Sequence, residues 1–337
     1  MSMPADPATD PLWDPRVPGD EELRQLERLL APYAAARQPA LLEPPRVQPP
    51  VRMGRRRWLL GLAMAATLLL SLWGAHHHRL AWPEGQPWPL RSGAEQRLLA
   101  PGERLQTGAH EHAELSVARI GSLRIAPHST LTLIESRSGR HRIELTHGRV
   151  QARIWAPPGY FAIDSGTMRV VDLGCEFILE RHRDGSGQLH VLSGWVQQHL
   201  GGQDCADPAG HALDFTADSA GTALRDDAPP ALRAAVAALD QALLRQADAD
   251  TISQRAAEVA RTARDADQYT LMSLLLRDRS LAAGPLYPRL AQALGVPADD
   301  AAHRADWIKG DHAAVNLWWQ HLPSQPKRWW AHWRDGF

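Results

Sequence analysis

The sequence predicts a multidomain membrane protein with one transmembrane helix, an all-β domain and an all-α C-terminal domain. An uninterrupted apolar run extends from Trp58 to Gly74, and short glycine-punctuated strands follow it. Beyond Pro230 the apolar residues recur with helical spacing. The chain has 337 residues, which is enough for two folded domains beside an anchor.

The apolar run predicts a transmembrane helix over residues 58–75. Basic residues stay on the cytoplasmic side of a membrane, and tryptophans favour its two interfaces. We therefore expect a protein that spans the bilayer once, with its N-terminus in the cytoplasm and its C-terminus outside the cytoplasm. The predicted anchor residues are Arg55, Arg56, Arg57, Trp58 and Trp73.

Three other interpretations of this run compete with a permanent anchor. A cleaved signal peptide needs a charged leader as long as residues 1–57, which is far longer than usual. The pair Arg56-Arg57 also resembles a twin-arginine export signal, and the same long leader argues against it. A buried core helix is the third interpretation, but no charged residue interrupts the run.

Residues 1–54 are expected to form a cytoplasmic arm. Within it, residues 21–36 carry apolar side chains at three- and four-residue spacing, which predicts a short amphipathic helix, and a proline-rich linker follows. Such a stripe has little to pack against in so short an arm, so it is expected to bind another protein or the membrane surface. An unstructured arm with a chance stripe is the alternative. The candidate partner-binding residues are Trp13, Leu23, Leu26 and Leu30.

The all-β domain is expected over residues 93–200, after a tether at 76–92. About ten short strands are separated by glycines, including one pair at 141–145 and 149–155. The pattern fits either a sandwich or a β-helix-like stack of short strands, and the many short strands favour the stack. A loop is expected over residues 201–229.

Residues 230–337 are expected to form a small bundle or repeat-like array of helices. Their last stretch, 327–334, mixes basic and aromatic residues. It could bind membrane lipid or pack back on the helices.

The formal net charge of −1 gives no electrostatic footprint for nucleic acid. Cys175 and Cys205 are the two cysteines of the chain. They could pair in an oxidising compartment, although a buried free thiol is equally ordinary for Cys175.

No motif predicts an enzyme or a cofactor. Asp164 lies in a sequence that matches one loop of an aspartic protease, but a single-chain protease needs a second loop, and a turn-capping role is sufficient. His110 and His112 would share one strand face, which is too few ligands for a metal site. Residues 76–78 are three consecutive histidines, which we expect to be solvated rather than to bind a metal ion. Phosphate-binding loops and nucleophile elbows are lacking.

An ordered series of motifs resembles the extracytoplasmic domain of the ferric-citrate regulator (FecR) family. The matching segments are Leu99–Gly108, Ala113–Leu115, Gly121–Leu131, His147–Val150, Tyr160–Ile163, Asp172–Phe177 and Val191–Val196. Members of this family are single-pass inner-membrane proteins that carry a signal from an outer-membrane receptor to a cytoplasmic sigma factor.

The resemblance implies a regulator of an extracytoplasmic-function sigma factor, located in the bacterial inner membrane with its C-terminus in the periplasm. Its partners would be that sigma factor, an outer-membrane receptor or other periplasmic protein, and membrane lipid. A membrane-anchored periplasmic scaffold that binds an envelope polymer or protein is the alternative. The segments Leu12–Asp14 and Leu26–Pro32 also resemble the arm of a subgroup of such regulators, which supports the sigma-factor partner.

Overall fold

The structure, a computed structural model, describes residues 21–34, 55–200, 203–297 and 301–325. The chain divides into two compact units, Met1–Leu69 and Leu70–Phe337. In its described part the first unit contains helix α1, Glu21–Ala34, and the beginning of helix α2, Arg55–Leu80.

Helix α1 forms where the apolar stripe predicts a helix. Glu21 and Glu22 lie in its first turn, where carboxylates complement the helix dipole. Leu26, Leu29 and Leu30 are 55%, 67% and 55% exposed, so the stripe is open to solvent in the structure.

The predicted transmembrane helix at 58–75 is wrong. None of the described helices combines the length and the apolar character that a membrane crossing requires. Helix α2 is 26 residues long, but three arginines open it and its last turn holds His77, His78 and Arg79. Between these ends, Gly61, Thr67 and Ser71 lower the apolar character of the run, whereas a spanning helix needs about 20 predominantly apolar residues.

The last residues of helix α2 belong to the second unit and lie against the β domain of that unit. The Arg119 Nη1 donates to the carbonyl oxygens of His78 at 2.9 Å and Ala81 at 3.1 Å, and Arg79 donates to the carbonyl oxygen of Trp155. A cation at this end satisfies carbonyls that have no partner inside the helix. The helix therefore continues through 76–78, where a tether was expected.

Among the described residues, the β domain has fifteen strands. They are β1 Trp88–Ser92, β2 Glu95–Leu99, β3 Arg104–Gln106, β4 Ala113–Val117, β5 Gly121–Ile125, β6 Thr130–Arg137, β7 Arg140–Ile154, β8 Phe161–Ser165, β9 Met168–Asp172, β10 Glu176–Arg181, β11 Gly187–Ser193, β12 Trp195–Leu200, β13 Gln203–Pro208, β14 His211–Phe215 and β15 Leu224–Arg225.

Two sheets share the long strand β7. The first has the order β2-β1-β4-β5-β7-β10-β11-β14-β15, and the second has the order β3-β6-β7-β8-β9-β12-β13. Only β7 and β8 pair in parallel among the described strands. The favoured β-helix-like stack is therefore wrong, because such a stack pairs its strands in parallel, whereas these antiparallel strands enclose one core.

The core lies between the two sheets. Leu115, Leu123 and Val150 of the first sheet and Leu133 and Ile143 of the second are fully buried in one cluster. Side chains alternate along each strand, so one face of each sheet packs inward. Their burial supplies the main stabilisation of this fold, at about 25 cal/mol per Å² of apolar surface.

Trp82 and Trp88 belong to this core, although the sequence predicted a tether at 76–92. Trp88 lies on β1, is fully buried, and donates from its Nε1 to the Ser136 Oγ at 2.9 Å. The Trp82 Nε1 donates to the same oxygen at 3.0 Å. Likewise, β13, β14 and β15 occupy much of the segment 201–229 that was expected to be a loop.

The helices follow the last strand. They are α3 Pro230–Leu244, α4 Ala249–Thr262, α5 Gln268–Arg277, α6 Leu286–Leu294, α7 Ala301–Lys309 and α8 His312–Trp319, with 3₁₀ turns at Asp265–Asp267 and Arg279–Ala283. A second core forms here. Tyr287, Trp307 and Trp318 are at most 2% exposed in it, and the rings of Tyr287 and Trp318 lie 4.5 Å apart.

Candidate functional site

The inner face of the second sheet becomes polar at its β13 edge. Across the sheet, Val170 on β9 pairs with Gln198 on β12, which pairs with Cys205 on β13. Val170 belongs to the β core, whereas helix α5 packs against β13. The helices therefore cover polar side chains at this edge.

Gln198 and Asp207 are the most deeply buried of these polar groups, at 4% and 2% exposure. The Gln198 side chain donates a hydrogen bond to the Asp207 carboxylate. Within the described residues, neither the Gln198 Oε1 nor the Asp207 Oδ2 has a hydrogen-bond partner. Burial raises the pKa of Asp207 to about 7, although the amide of Gln198 and the charge of Arg277 oppose this shift.

Asp240 on α3 and Arg277 on α5 form an ion pair beside this polar face. The Arg277 Nη1 lies 2.8 Å from the Asp240 Oδ1, and the two side chains are 16% and 15% exposed. Thr222 completes the cluster, since its backbone N–H and its Oγ1 each donate to the Asp240 carboxylate at 2.7 Å. The Arg277 Nη1 also donates to the Thr222 Oγ1 at 2.8 Å. The cluster joins the segment after β14 to two helices.

A cleft of about 340 Å³ opens beside this cluster. Its walls combine the apolar side chains of Leu200, Leu243 and Leu244 with polar groups. The polar lining residues are Gln198, Cys205, Asp218, Ser219, Gln246, Arg277 and Asp278. A wider groove of about 680 Å³ on the other side of Arg277 lies between β14 and α3.

Gln246 has a backbone conformation that normally belongs to glycine. Its φ of 51° follows the end of α3, where the N–H groups of Gln246 and Ala247 donate to the carbonyl oxygens of Leu243 and Ala242. This is a Schellman motif, in which glycine is the usual residue at the left-handed position. Gln246 therefore lines the cleft although its positive φ carries a conformational cost for a residue with a side chain.

We expect Gln246→Gly to raise the free energy of unfolding by about 0.5 to 1 kcal/mol, because glycine adopts positive φ without steric strain. Urea unfolding of the full chain measures this change. Gln254→Gly, in the middle of α4, is the control and should lower stability by about 1 kcal/mol. A loss of stability with Gln246→Gly would contradict the assigned strain.

The structure describes only part of the predicted partner-binding set. Leu26 and Leu30 are exposed on α1. Trp13 and the side chain of Leu23 lie outside the described residues.

Of the predicted anchor residues, Trp73 is 67% exposed and stacks on His77, with 5.6 Å between ring centroids. Arg55, Arg56, Arg57 and Trp58 begin helix α2, and their side chains lie outside the described set.

Cys175 and Cys205 are buried free thiols in the structure. The Cys175 Sγ donates to the Asp172 Oδ1 at 2.7 Å, and the Asp172 carboxylate also accepts from the backbone N–H groups of Gly174 and Cys175. Burial raises the pKa of Asp172 to about 7. Burial also raises the pKa of the Cys205 thiol to about 12, which makes this thiol a poor nucleophile.

Asp164, the candidate protease residue, is engaged in ion pairs. The Arg142 Nη1 lies 2.8 Å and the Arg169 Nε 2.6 Å from its carboxylate, so Asp164 joins β8 to β7 and β9. Among the described residues there is no group of three His, Cys, Asp or Glu side chains that could hold a metal ion. Glu111, between His110 and His112, accepts from the backbone N–H of Gly108 and from the Ser92 Oγ.

The sequence patterns did not predict a role for Gln198, Asp207, Asp240 and Arg277. One signal was available. Val196, Gln198 and Leu200 lie on one face of β12, because every second residue of a strand points to the same side. An uncharged amide between two apolar residues on that face indicates a polar gap in the core. The other three residues gave no such signal, because a lone charge in a loop or helix usually faces solvent.

Residues 103–197 match the model of the FecR family, whose description is "FecR protein". Two crystal structures of a proposed anti-sigma factor from Parabacteroides distasonis are similar to the chain at 13% identity and a TM-score of 0.32. The similarity covers 35% of this chain and 56% and 57% of the two matched chains. None of the curated proteins matches the sequence significantly. Residues 103–197 of the chain therefore match the FecR family, as the sequence resemblance implied.

Proposed function

We propose that this protein regulates a sigma factor of the extracytoplasmic-function class. The observation that carries this proposal is the match of residues 103–197 to the FecR family. In this proposal α1 binds the sigma factor, and the β domain with the C-terminal helices receives the signal.

The surface of α1 supports its part in the proposal. Leu26, Leu29 and Leu30 are exposed together on one short helix. An amphipathic helix binds a partner by placing such side chains in an apolar groove. Glu21, Arg24 and Arg28 form only exposed ion pairs, with distances of 3.5 to 3.7 Å. Exposed ion pairs of this kind add little stability, so they leave the apolar surface of α1 available to a partner.

We expect Leu26→Ala/Leu30→Ala to weaken binding of the sigma factor by at least about tenfold, because apolar anchors dominate helix-in-groove affinity. Both changes preserve helix propensity, since alanine is the best helix former. The measurement is calorimetric titration of the full chain with an extracytoplasmic-function sigma factor from the same organism. Gln25→Ala/Glu27→Ala is the matched control on the same helix and should bind within about twofold.

Two results would contradict the proposal. One is the absence of binding by the unaltered full chain, even at low salt. The other is equal affinity for the leucine variant and the control. If the full chain does not bind the sigma factor but binds an isolated envelope polymer, the result would instead support the alternative function, a scaffold that binds an envelope polymer.

A further inference from the structure

We propose that the cleft formed by β12, β13, α3 and α5 binds a small aliphatic cation, of the alkylammonium or diamine class. This inference depends on the cleft alone and not on the sigma-factor function. Its volume of about 340 Å³ lies at the lower end of the range for small-molecule sites.

Unsatisfied acceptors provide the first argument. Gln198 lines the cleft with a side chain that is 4% exposed, and its buried Oε1 has no hydrogen-bond partner among the described residues. The Asp207 Oδ2 is likewise unpaired within the described part of the chain. A buried acceptor without a partner costs about 1 to 3 kcal/mol. A ligand that donates hydrogen bonds recovers this cost, whereas an anion or a ligand with acceptors only does not.

The balance of charge provides the second argument. Asp218 and Asp278 line the cleft. Asp207 accepts a hydrogen bond from the lining residue Gln198, and Asp240 pairs with the lining residue Arg277. Arg277 is the opposing cation in the described lining, and its charge is paired with Asp240 at 2.8 Å. The carboxylates of Asp218 and Asp278 are not offset by this cation and give the cleft a negative potential, which attracts a cation.

The apolar walls restrict the class of cation. Leu200, Leu243 and Leu244 line the same cleft, and Leu244 is 62% exposed. Burial of methylene groups against such side chains is favourable by about 0.8 kcal/mol for each group. An inorganic cation cannot use these contacts. An aliphatic chain with a terminal ammonium group uses both the apolar walls and the polar end.

Gln246 provides a third polar group at the cleft, on a strained backbone. The stabilising variant Gln246→Gly therefore has a second expected effect. It should weaken ligand binding while it raises stability, since it removes an amide from the lining. A purely structural role for Gln246 would not separate these two effects.

The test is titration of the full chain with 1,4-diaminobutane and with its neutral analogue 1,4-butanediol, by calorimetry and by thermal unfolding. We expect millimolar or tighter binding of the diamine with a raised Tm, and at least about tenfold weaker binding of the diol. Asp218→Asn/Asp278→Asn should reduce diamine affinity by about tenfold. Both changes preserve side-chain shape, and asparagine still caps the 3₁₀ turn that Asp278 begins.

Asp250→Asn, on α4 and outside the cleft lining, is the matched control and should leave diamine affinity unchanged. Equal binding of diamine and diol would overturn the proposal, as would the absence of diamine binding at millimolar concentration. Equal loss of affinity in the cleft variant and in the control would overturn it too. Circular dichroism of each variant confirms that a lost affinity is not a lost fold.

Discussion

Gly148→Ala is expected to lower the free energy of unfolding by about 3 to 5 kcal/mol, since it combines backbone strain with overpacking. Gly148 is the point at which β7 passes from one sheet to the other. Residues 140–147 of β7 pair with β6, and residues 148–153 pair with β10. The φ of Gly148 is 106°, and an added Cβ would lie 2.3 Å from the Ser129 Cα.

The neighbour of Gly148 cannot move away. The Ser129 Oγ accepts from the backbone N–H of Arg149 at 3.0 Å, and the Ser129 N–H donates to the Thr107 Oγ1 at 2.9 Å. Ser129 and Thr107 are 0% and 2% exposed. Any shift of this backbone breaks buried hydrogen bonds, which adds to the cost.

Gly102→Ala is the matched control for Gly148→Ala. Gly102 also has a positive φ, of 83°, but an added Cβ meets nothing within 4 Å. Its cost should therefore be only the conformational part, about 1 kcal/mol. Urea unfolding followed by tryptophan fluorescence measures both variants in the full chain. If Gly148→Ala and Gly102→Ala lower the free energy of unfolding equally, the bend in β7 tolerates a side chain at position 148.

The same glycine marks the limit of strand prediction from the sequence. The pattern placed strands at 141–145 and 149–155 with a turn at Gly148, whereas the structure has one strand with a bend. A glycine with positive φ is common to a hairpin turn and to a bent strand, so its presence does not separate them. The pairing partners, which are distant in sequence, make the distinction.

The failure of the sequence patterns to predict β1 and β13 has one physical cause. Trp88 was placed in a tether because prolines surround it, yet β1 buries it completely at the first sheet. The strand β13 contains two aspartates and was expected to be a loop. Asp207 is buried there because α5 covers the strand. Tertiary packing overrides composition at both places, and short-range patterns carry no record of it.

The candidate cleft could not be predicted for a related reason. Its lining comes from β12, β13, the segment 218–221, the end of α3 and the end of α5. Each element has an unremarkable pattern, and only the docking of α5 on β13 brings Gln198, Asp207 and Arg277 together. The β domain was more accessible to prediction, because alternation and glycine spacing are local features of the chain.

The second large effect is expected at the ion pair of Arg277 and Asp240. Arg277→Met should lower the free energy of unfolding by about 3 to 5 kcal/mol, because it leaves a buried carboxylate without its cation. The Asp240 carboxylate would keep its two hydrogen bonds from Thr222, but these do not neutralise its charge. Asp207 would lose the same guanidinium, which opposes the upward shift of the Asp207 pKa.

A double-mutant cycle separates the pair from its surroundings. Asp240→Leu removes the carboxylate, and we expect Arg277→Met/Asp240→Leu to be more stable than the sum of the two single changes by at least about 2 kcal/mol, since no unpaired charge remains buried. Arg261→Met is the control, because the Arg261 and Glu258 side chains of α4 are 73% and 40% exposed. An exposed pair of this kind should contribute at most about 0.5 kcal/mol. If the two buried changes are simply additive, Arg277 does not act through Asp240, and the junction between the strands and the helices depends on apolar packing instead.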